Sequence, residues 1–263
     1  MTTKTIDLGR PRISIPEGST RRTGNGLARP VARMRRIRPF ERVPEEVAAV
    51  LEGERSWAVV RGDGQSLLRV LPSTCLDTVV TDPPYSRRYM SLYEELAATL
   101  PRTLKRGGSF LAIVPHSSLP HVLTSVGAYL KYRWTICMWQ ANGNHARLAM
   151  GIEVVWKPIV WWVNGTWPMG RGFIKDGFDN TPPEKAHHKW EQSLTWAEYC
   201  LRFVPKGGVI LDPFCGAATT GVAAVRHGFR YIGVDRVTRT VRIANARLQA
   251  AADVESGPTR GST

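Results

Sequence analysis

The sequence predicts an α/β fold, a mostly parallel sheet with helices on both faces. Three observations lead to it. Short β-branched runs alternate with amphipathic helical patterns along most of the chain. Two of those runs end in Asp-Pro, at Asp82-Pro83 and Asp212-Pro213, as strands that deliver loops to the carboxyl edge of an open sheet would. The length of 263 residues, 43% of them hydrophobic, suits one α/β domain or one domain with a small insertion.

In chain order, residues 1–42 are rich in Arg, Gly, Pro, Ser and Thr and read as a flexible basic arm. Glu45–Glu54 is a short helical pattern, and Trp57–Arg61 is a strand that stops at Gly62-Asp63-Gly64. Asp77–Thr81 is a strand ending in Asp82-Pro83-Pro84-Tyr85. Met90–Leu104 is helical with a break expected at Pro101, Lys105–Gly108 is a turn, Ser109–Val114 is a strand and Leu119–Leu130 a helix. Tyr132–Trp139 and Ile152–Trp162 are aromatic and β-branched runs that suit an antiparallel pair, with a break expected at Pro158. The polar, Gly-rich stretches Gln140–Gly151 and Asn164–Lys189 read as loops or a small inserted subdomain. The rhythm resumes with a helix over Leu194–Phe203, a strand over Val209–Leu211, a helix over Thr219–His227, a strand over Tyr231–Val234 and a long helix over Thr238–Ala252. The tail from Glu255 onward has the composition of a disordered segment.

The net charge is +14, and ten arginines lie between Arg10 and Arg42. A polyanionic partner is the plain physical reading, because many phosphate contacts add up. Cys75, Cys137, Cys200 and Cys215 occur singly, without CxxC spacing, which fits a reducing compartment such as the cytoplasm. The start lacks the apolar stretch of a secretory signal, although its Arg-rich, acid-poor composition is also that of organelle transit peptides. No apolar run is long and unbroken enough to span a bilayer. His187 and His188 lack nearby Cys or Asp at ligand spacing, so no metal site is expected.

Two strand ends carry the chemistry. After the first, Asp212-Pro213-Phe214-Cys215-Gly216 leads through Thr219 and Thr220 into a helix whose unpaired N–H groups suit an electron-rich ligand. Asp235, closing the next strand, can accept both hydroxyls of a ribose. The alternative is an ordinary strand–turn–helix with a capping Asp. No GxGxxG spacing and no Walker lysine is present, which weakens nicotinamide and ATPase readings. At the second, Asp82 and the carbonyl of Pro83 offer two acceptors, matching the two hydrogens of an exocyclic NH₂, and Tyr85 offers a face for base stacking. A rigid loop with a core tyrosine is the bland reading of the same residues.

Both motifs, in this order, resemble the amino-methyltransferases of DNA, specific for adenine N6 or cytosine N4, in the β arrangement of their motifs. There a (D/N/S)PP(Y/F/W) loop comes early, a target-recognition region follows and a DPFxGxGTT segment comes late. The resemblance covers roughly residues 57 to 250 and leaves out the arm. It implies a Rossmann-like, S-adenosylmethionine-dependent methyltransferase fold with a circularly permuted motif order. The methyltransferase domain would span 43–254, with recognition segments at about 140–151 and 164–189 and a tail at 255–263. Catalysis would fall to Asp82, Pro83, Pro84 and Tyr85. S-adenosyl-L-methionine would be held by Asp212, Pro213, Phe214, Cys215, Gly216, Thr219, Thr220 and Asp235, with Asp63 near its adenine. His188 and Gln192 stand in the place of the family's HPTQKP segment. Two departures matter. Ala218 replaces the second glycine of GxG, and the His188 segment runs one residue longer to its Gln, with Ser193 where Pro is expected.

The partner implied is double-stranded DNA, with Asn142, Asn144, His145, Arg147, Arg171 and Lys175 as candidate contacts. Asp82 favours adenine, since cytosine-specific members more often carry Ser there. Cytosine N4, an RNA amine and a catalytically inactive binder stay as alternatives. The sequence leaves open whether the protein is a monomer or homodimer and whether a cognate restriction endonuclease accompanies it.

Overall fold

The computed structural model describes residues 37–84, 89–140, 146–147, 151–168, 172–181 and 193–255. The first half of the fold runs α1 (Glu45–Glu52), β1 (Trp57–Arg61), α2 (Gly64–Val70), β2 (Leu76–Thr81), α3 (Ser91–Ala97), α4 (Leu100–Thr103), β3 (Leu104–Ile113), α5 (Leu119–Gly127) and β4 (Lys131–Trp139). The second runs β5 (Ala146–Arg147), β6 (Glu153–Val154), β7 (Trp156–Val163), β8 (Gly177–Asp179), α6 (Leu194–Leu201), β9 (Val209–Asp212), α7 (Thr219–Arg226), β10 (Arg230–Asp235) and α8 (Thr238–Glu255).

Eight strands form one sheet in the order β1-β10-β9-β2-β3-β7-β4-β8, and β5 pairs with β6 separately. The strands from β1 to β3 are parallel, and β7 runs antiparallel between β3 and β4. This is a Rossmann-like mixed α/β fold, as the sequence predicts. The central strands are apolar throughout because both faces are covered. In β2, Val79 packs with Leu67, Leu96 and Val122 on the α1–α5 side, and Val80 packs with Ala197, Val222 and Leu248 on the α6–α8 side. The same alternation runs through Phe110 and Leu111 of β3 and through Ile210 and Leu211 of β9.

Several expectations are corrected. Lys105–Gly108 is not a turn between elements but a bulge inside β3, where pairing jumps from Leu76↔Leu104 to Thr78↔Ser109 and Gly107 takes φ +80°. The Asp77 carboxylate fills that bulge, accepting from Lys105 Nζ and, across the sheet, from the Val209 N–H at 2.8 Å. Pro158 does not break its strand. It pairs with Cys137 inside β7, and its carbonyl accepts from Val114, so the missing donor falls where the β3 ladder ends. Pro101 does divide the expected Met90–Leu104 helix, and sits in the first turn of α4. The antiparallel pairing of the two aromatic runs is present as β4 with β7. Among their tryptophans Trp162 is fully buried, whereas Trp134 and Trp139 are exposed.

Candidate active site

The sheet brings the two informative loops together. β9 lies between β10 and β2, with Val79 opposite Leu211 and Gly233 opposite Asp212. Neighbouring strands are about 4.8 Å apart. Asp82, Asp212 and Asp235 therefore stand at the carboxyl ends of three adjacent parallel strands, the place where open α/β sheets bind ligands.

Asp82 is half-buried, Pro83 is buried and Pro84 is exposed, so the loop turns outward within three residues. Beneath it, Tyr93 of α3 is fully buried and donates its hydroxyl to the Ile113 carbonyl at 2.8 Å, which fixes the helix that follows the loop. Burial raises the Tyr93 pKa, and the Asp82 charge raises it further. Tyr85 lies outside the described residues.

Asp212 is buried and accepts from the Phe214 N–H at 3.1 Å, folding the loop back on its own strand. Burial pushes its carboxyl up to about 7 against the opposing Phe214 hydrogen bond, and the charges of Asp82 and Asp235 add to the rise. Pro213 packs on the turn before α2, where a side chain at Gly64 would come within 2.5 Å of the Pro213 carbonyl. Phe214 is partly buried against the α1–α5 core. Cys215 is buried, and burial together with Asp212 and Asp235 raises its thiol pKa well above the ordinary value, which keeps it protonated.

From Cys215 the chain makes a tight turn, closed by the Ala218 N–H on the Cys215 carbonyl at 2.7 Å. Gly216 takes φ +50° with open space where a side chain would be. Ala218 takes φ 56°, ψ 43° as the residue before α7. A left-handed alanine costs about 1–2 kcal/mol, so the departure from glycine is a strained one. Thr219 and Thr220 are buried in the first turn of α7.

The Asp235 carboxylate accepts from the Val237 N–H at 2.7 Å. Asp63 caps α2 through the Ser66 N–H at 3.1 Å and forms an ion pair with Arg236. The mouth beside Asp235 thus carries a carboxylate from each of two neighbouring strand ends, with Arg236 between them. Sequence reasoning missed Arg236 and also Arg247, which reaches from α8 to the Ala217 carbonyl at 2.6 Å. Both contacts are long-range, and no local pattern announces them.

Of the other expected site residues, His188, Gln192, Asn142, Asn144, His145 and Arg171 lie outside the described residues, and only the backbone of Arg147 is described, in β5. Lys175 is not beside the Asp82 loop. It lines a separate cavity of about 380 Å³ with Arg133, Trp134, Trp161, Asp176 and Tyr199, against β4, β7 and α6. Among the described residues no cluster of His, Cys, Asp and Glu suits a metal ion, and no helix is long and apolar enough to cross a membrane.

Comparison with known proteins agrees with this fold. Residues 174–246 match the family described as DNA methylase. The chain is similar to DNA adenine methyltransferase YhdJ of Escherichia coli K12, 20% identical over 250 residues that cover 76% of this chain and 85% of that protein. It shares its fold with TTHA0409 of Thermus thermophilus, solved with S-adenosyl-L-methionine, at a TM-score of 0.60 and 20% identity over 74% of this chain and 95% of the other. It also shares its fold with the cytosine-N4-specific PvuII DNA methyltransferase, at a TM-score of 0.63 and 15% identity over 76% of this chain and 91% of the other.

Proposed function

We propose that this chain is a DNA amino-methyltransferase that transfers the methyl group of S-adenosyl-L-methionine to adenine N6 in double-stranded DNA, in the β arrangement of that family, a reading supported by the matched segment and the shared fold. One observation carries the reading. The Asp82-Pro83-Pro84 loop and the Asp212–Gly216 loop leave adjacent parallel strands and meet closely enough for the Asp82 charge to act on Asp212.

The second loop fits the donor. The space over Gly216 admits a ligand against the backbone, the first turn of α7 directs N–H groups toward it, and Asp235 is placed to accept from ribose hydroxyls. Asp63 serves the adenine end from across the mouth. When bound, S-adenosyl-L-methionine supplies a methyl group on a positively charged sulfur.

The residues of this chain align the acceptor. The Asp82 carboxylate and the Pro83 carbonyl take the two hydrogens of the exocyclic amine, turning its lone pair out of the base plane. Tyr85 stacks on the base. Stacking is worth about 1–3 kcal/mol and returns part of the few kcal/mol needed to flip a base from the duplex. Alignment of nitrogen with methyl carbon lowers the barrier by proximity. The proton leaves after transfer begins, to Asp82 or to water. Asp82 favours adenine over cytosine, because cytosine-specific members more often carry Ser at that place.

The test is to supply isotopically labelled donor with DNA and RNA of varied sequence and identify the labelled nucleoside. The expected product is N6-methyladenine in DNA. N4-methylcytosine would overturn the base assignment, and no labelled nucleoside at all would overturn transfer. Asp82→Ala is expected to cut transfer at least 100-fold while donor affinity, measured by calorimetry, changes less than threefold.

A further inference from the structure

Arg247 projects from α8 onto the backbone of the turn that carries the donor site. Its Nη1 donates to the Ala217 carbonyl at 2.6 Å and to the Thr219 hydroxyl at 3.3 Å. Those two residues flank Ala218, which is fully buried and held at φ 56°. Ala218 has no side-chain cap to offer α7. The turn also contains Gly216 at φ +50°, so two left-handed residues stand within three positions. A glycine at 218 would adopt this shape at no steric cost, whereas alanine relaxes toward negative φ unless something holds it. Arg247 bridges the two neighbours of Ala218, and a single nitrogen makes both contacts.

We propose that Arg247 is a positioning residue that locks the Cys215–Thr219 turn in its donor-receiving shape, and that this chain depends on the lock because position 218 is alanine. The proposal rests on the methyltransferase reading for the identity of the donor. The lock itself is a property of the chain alone. Arg247 does not touch the reacting atoms. It acts through the backbone direction of Ala217 and the first turn of α7. Loss of the guanidinium lets Ala218 relax, moves the Gly216 cradle and weakens donor binding before it affects chemistry.

The experiment is a double-mutant cycle between Arg247→Met and Ala218→Gly in the full-length protein. It is read by S-adenosyl-L-methionine titration calorimetry and by the melting temperature of the ligand-free protein. Arg247→Met is expected to weaken donor binding at least 10-fold and to lower the ligand-free melting temperature by a few degrees. Ala218→Gly in the Met background is expected to recover most of both losses, since glycine needs no lock. Arg247→Lys retains one charged donor and is expected to lose no more than about threefold, which serves as the readout if the Met variant does not fold. Unchanged donor affinity in Arg247→Met, or losses that Ala218→Gly does not reduce, would overturn the lock. If the wild-type protein fails to bind the donor, the methyltransferase reading falls, and the ligand-free melting cycle still decides whether Arg247 holds the turn.

Discussion

At the residue scale, the Asp212 carboxyl makes stability depend on pH. Its native pKa is raised from 3.8 to about 7, chiefly by burial. Between those values the native state holds a proton that the unfolded chain has released. The contribution to stability is therefore full below about pH 4 and is lost as pH rises through about 7. Asp212→Asn keeps the shape without the titration. Urea melts at several pH values are expected to show a flatter profile between pH 4 and 7 for the variant than for the wild type. An identical slope in both proteins would place the titration elsewhere. Asp82, Asp212 and Asp235 were legible in the sequence because each ends a short apolar run, and the end of a parallel strand is where a ligand-facing residue stands. The strain at Ala218 was not legible. The sequence shows only an alanine where the family has glycine, and its left-handed φ follows from the turn around it.

At the scale of elements, the contact between α2 and the Asp212 loop is made by the bare backbone of Gly64 against Pro213. The space for a side chain at Gly64 is already taken by Pro213, with its carbonyl oxygen and Cβ both 2.5 Å from where a methyl would sit. Gly64→Ala must push apart the turn that bears Asp63 and the loop that bears Phe214. Overpacking of this kind costs about 1–3 kcal/mol, and a correspondingly lower denaturant midpoint is expected, together with weaker donor binding. An unchanged midpoint would mean that the loop yields freely. The helix α2 itself was not foreseen. Gly62-Asp63-Gly64 reads as a turn, and the cap that starts the helix, Asp63 on the Ser66 N–H, hides inside it. The β3 bulge escaped for a related reason. Lys105-Arg106-Gly107-Gly108 has the composition of a turn, yet strand pairing with β2 resumes on its far side at Ser109. What proved readable at this scale was the alternation of strand and helix, because apolar periodicity is local.

At the scale of the whole molecule, charge sets the proposed encounter with DNA. The net charge of +14 is concentrated toward the N-terminus, and the composition of the residues up to 42 would suit an arm that grips phosphates. Removal of residues 1–36 is expected to weaken DNA binding most at low salt and to reduce the slope of log affinity against log salt. An unchanged slope would dispose of the arm's role. Layering follows chain order. Helices α1–α5 cover one face and α6–α8 the other, and the Asp82 loop comes from the first half of the chain and the Asp212 loop from the second. This division was implicit in the order of the motifs, whereas the stacking of Tyr199 on Phe178 and of Phe110 on Trp162 that fills the two layers was not.

The placement of β9 and β10 between β1 and β2 has a consequence for biosynthesis. Strands made early on the ribosome must wait, with a gap in the middle, for strands made last. Partial translation products can hold the Asp82 loop yet have nothing beside it, so under the proposed function a prematurely released fragment lacking the last two strands is expected to transfer no methyl group. The proposed activity is thereby tied to completion of the polypeptide.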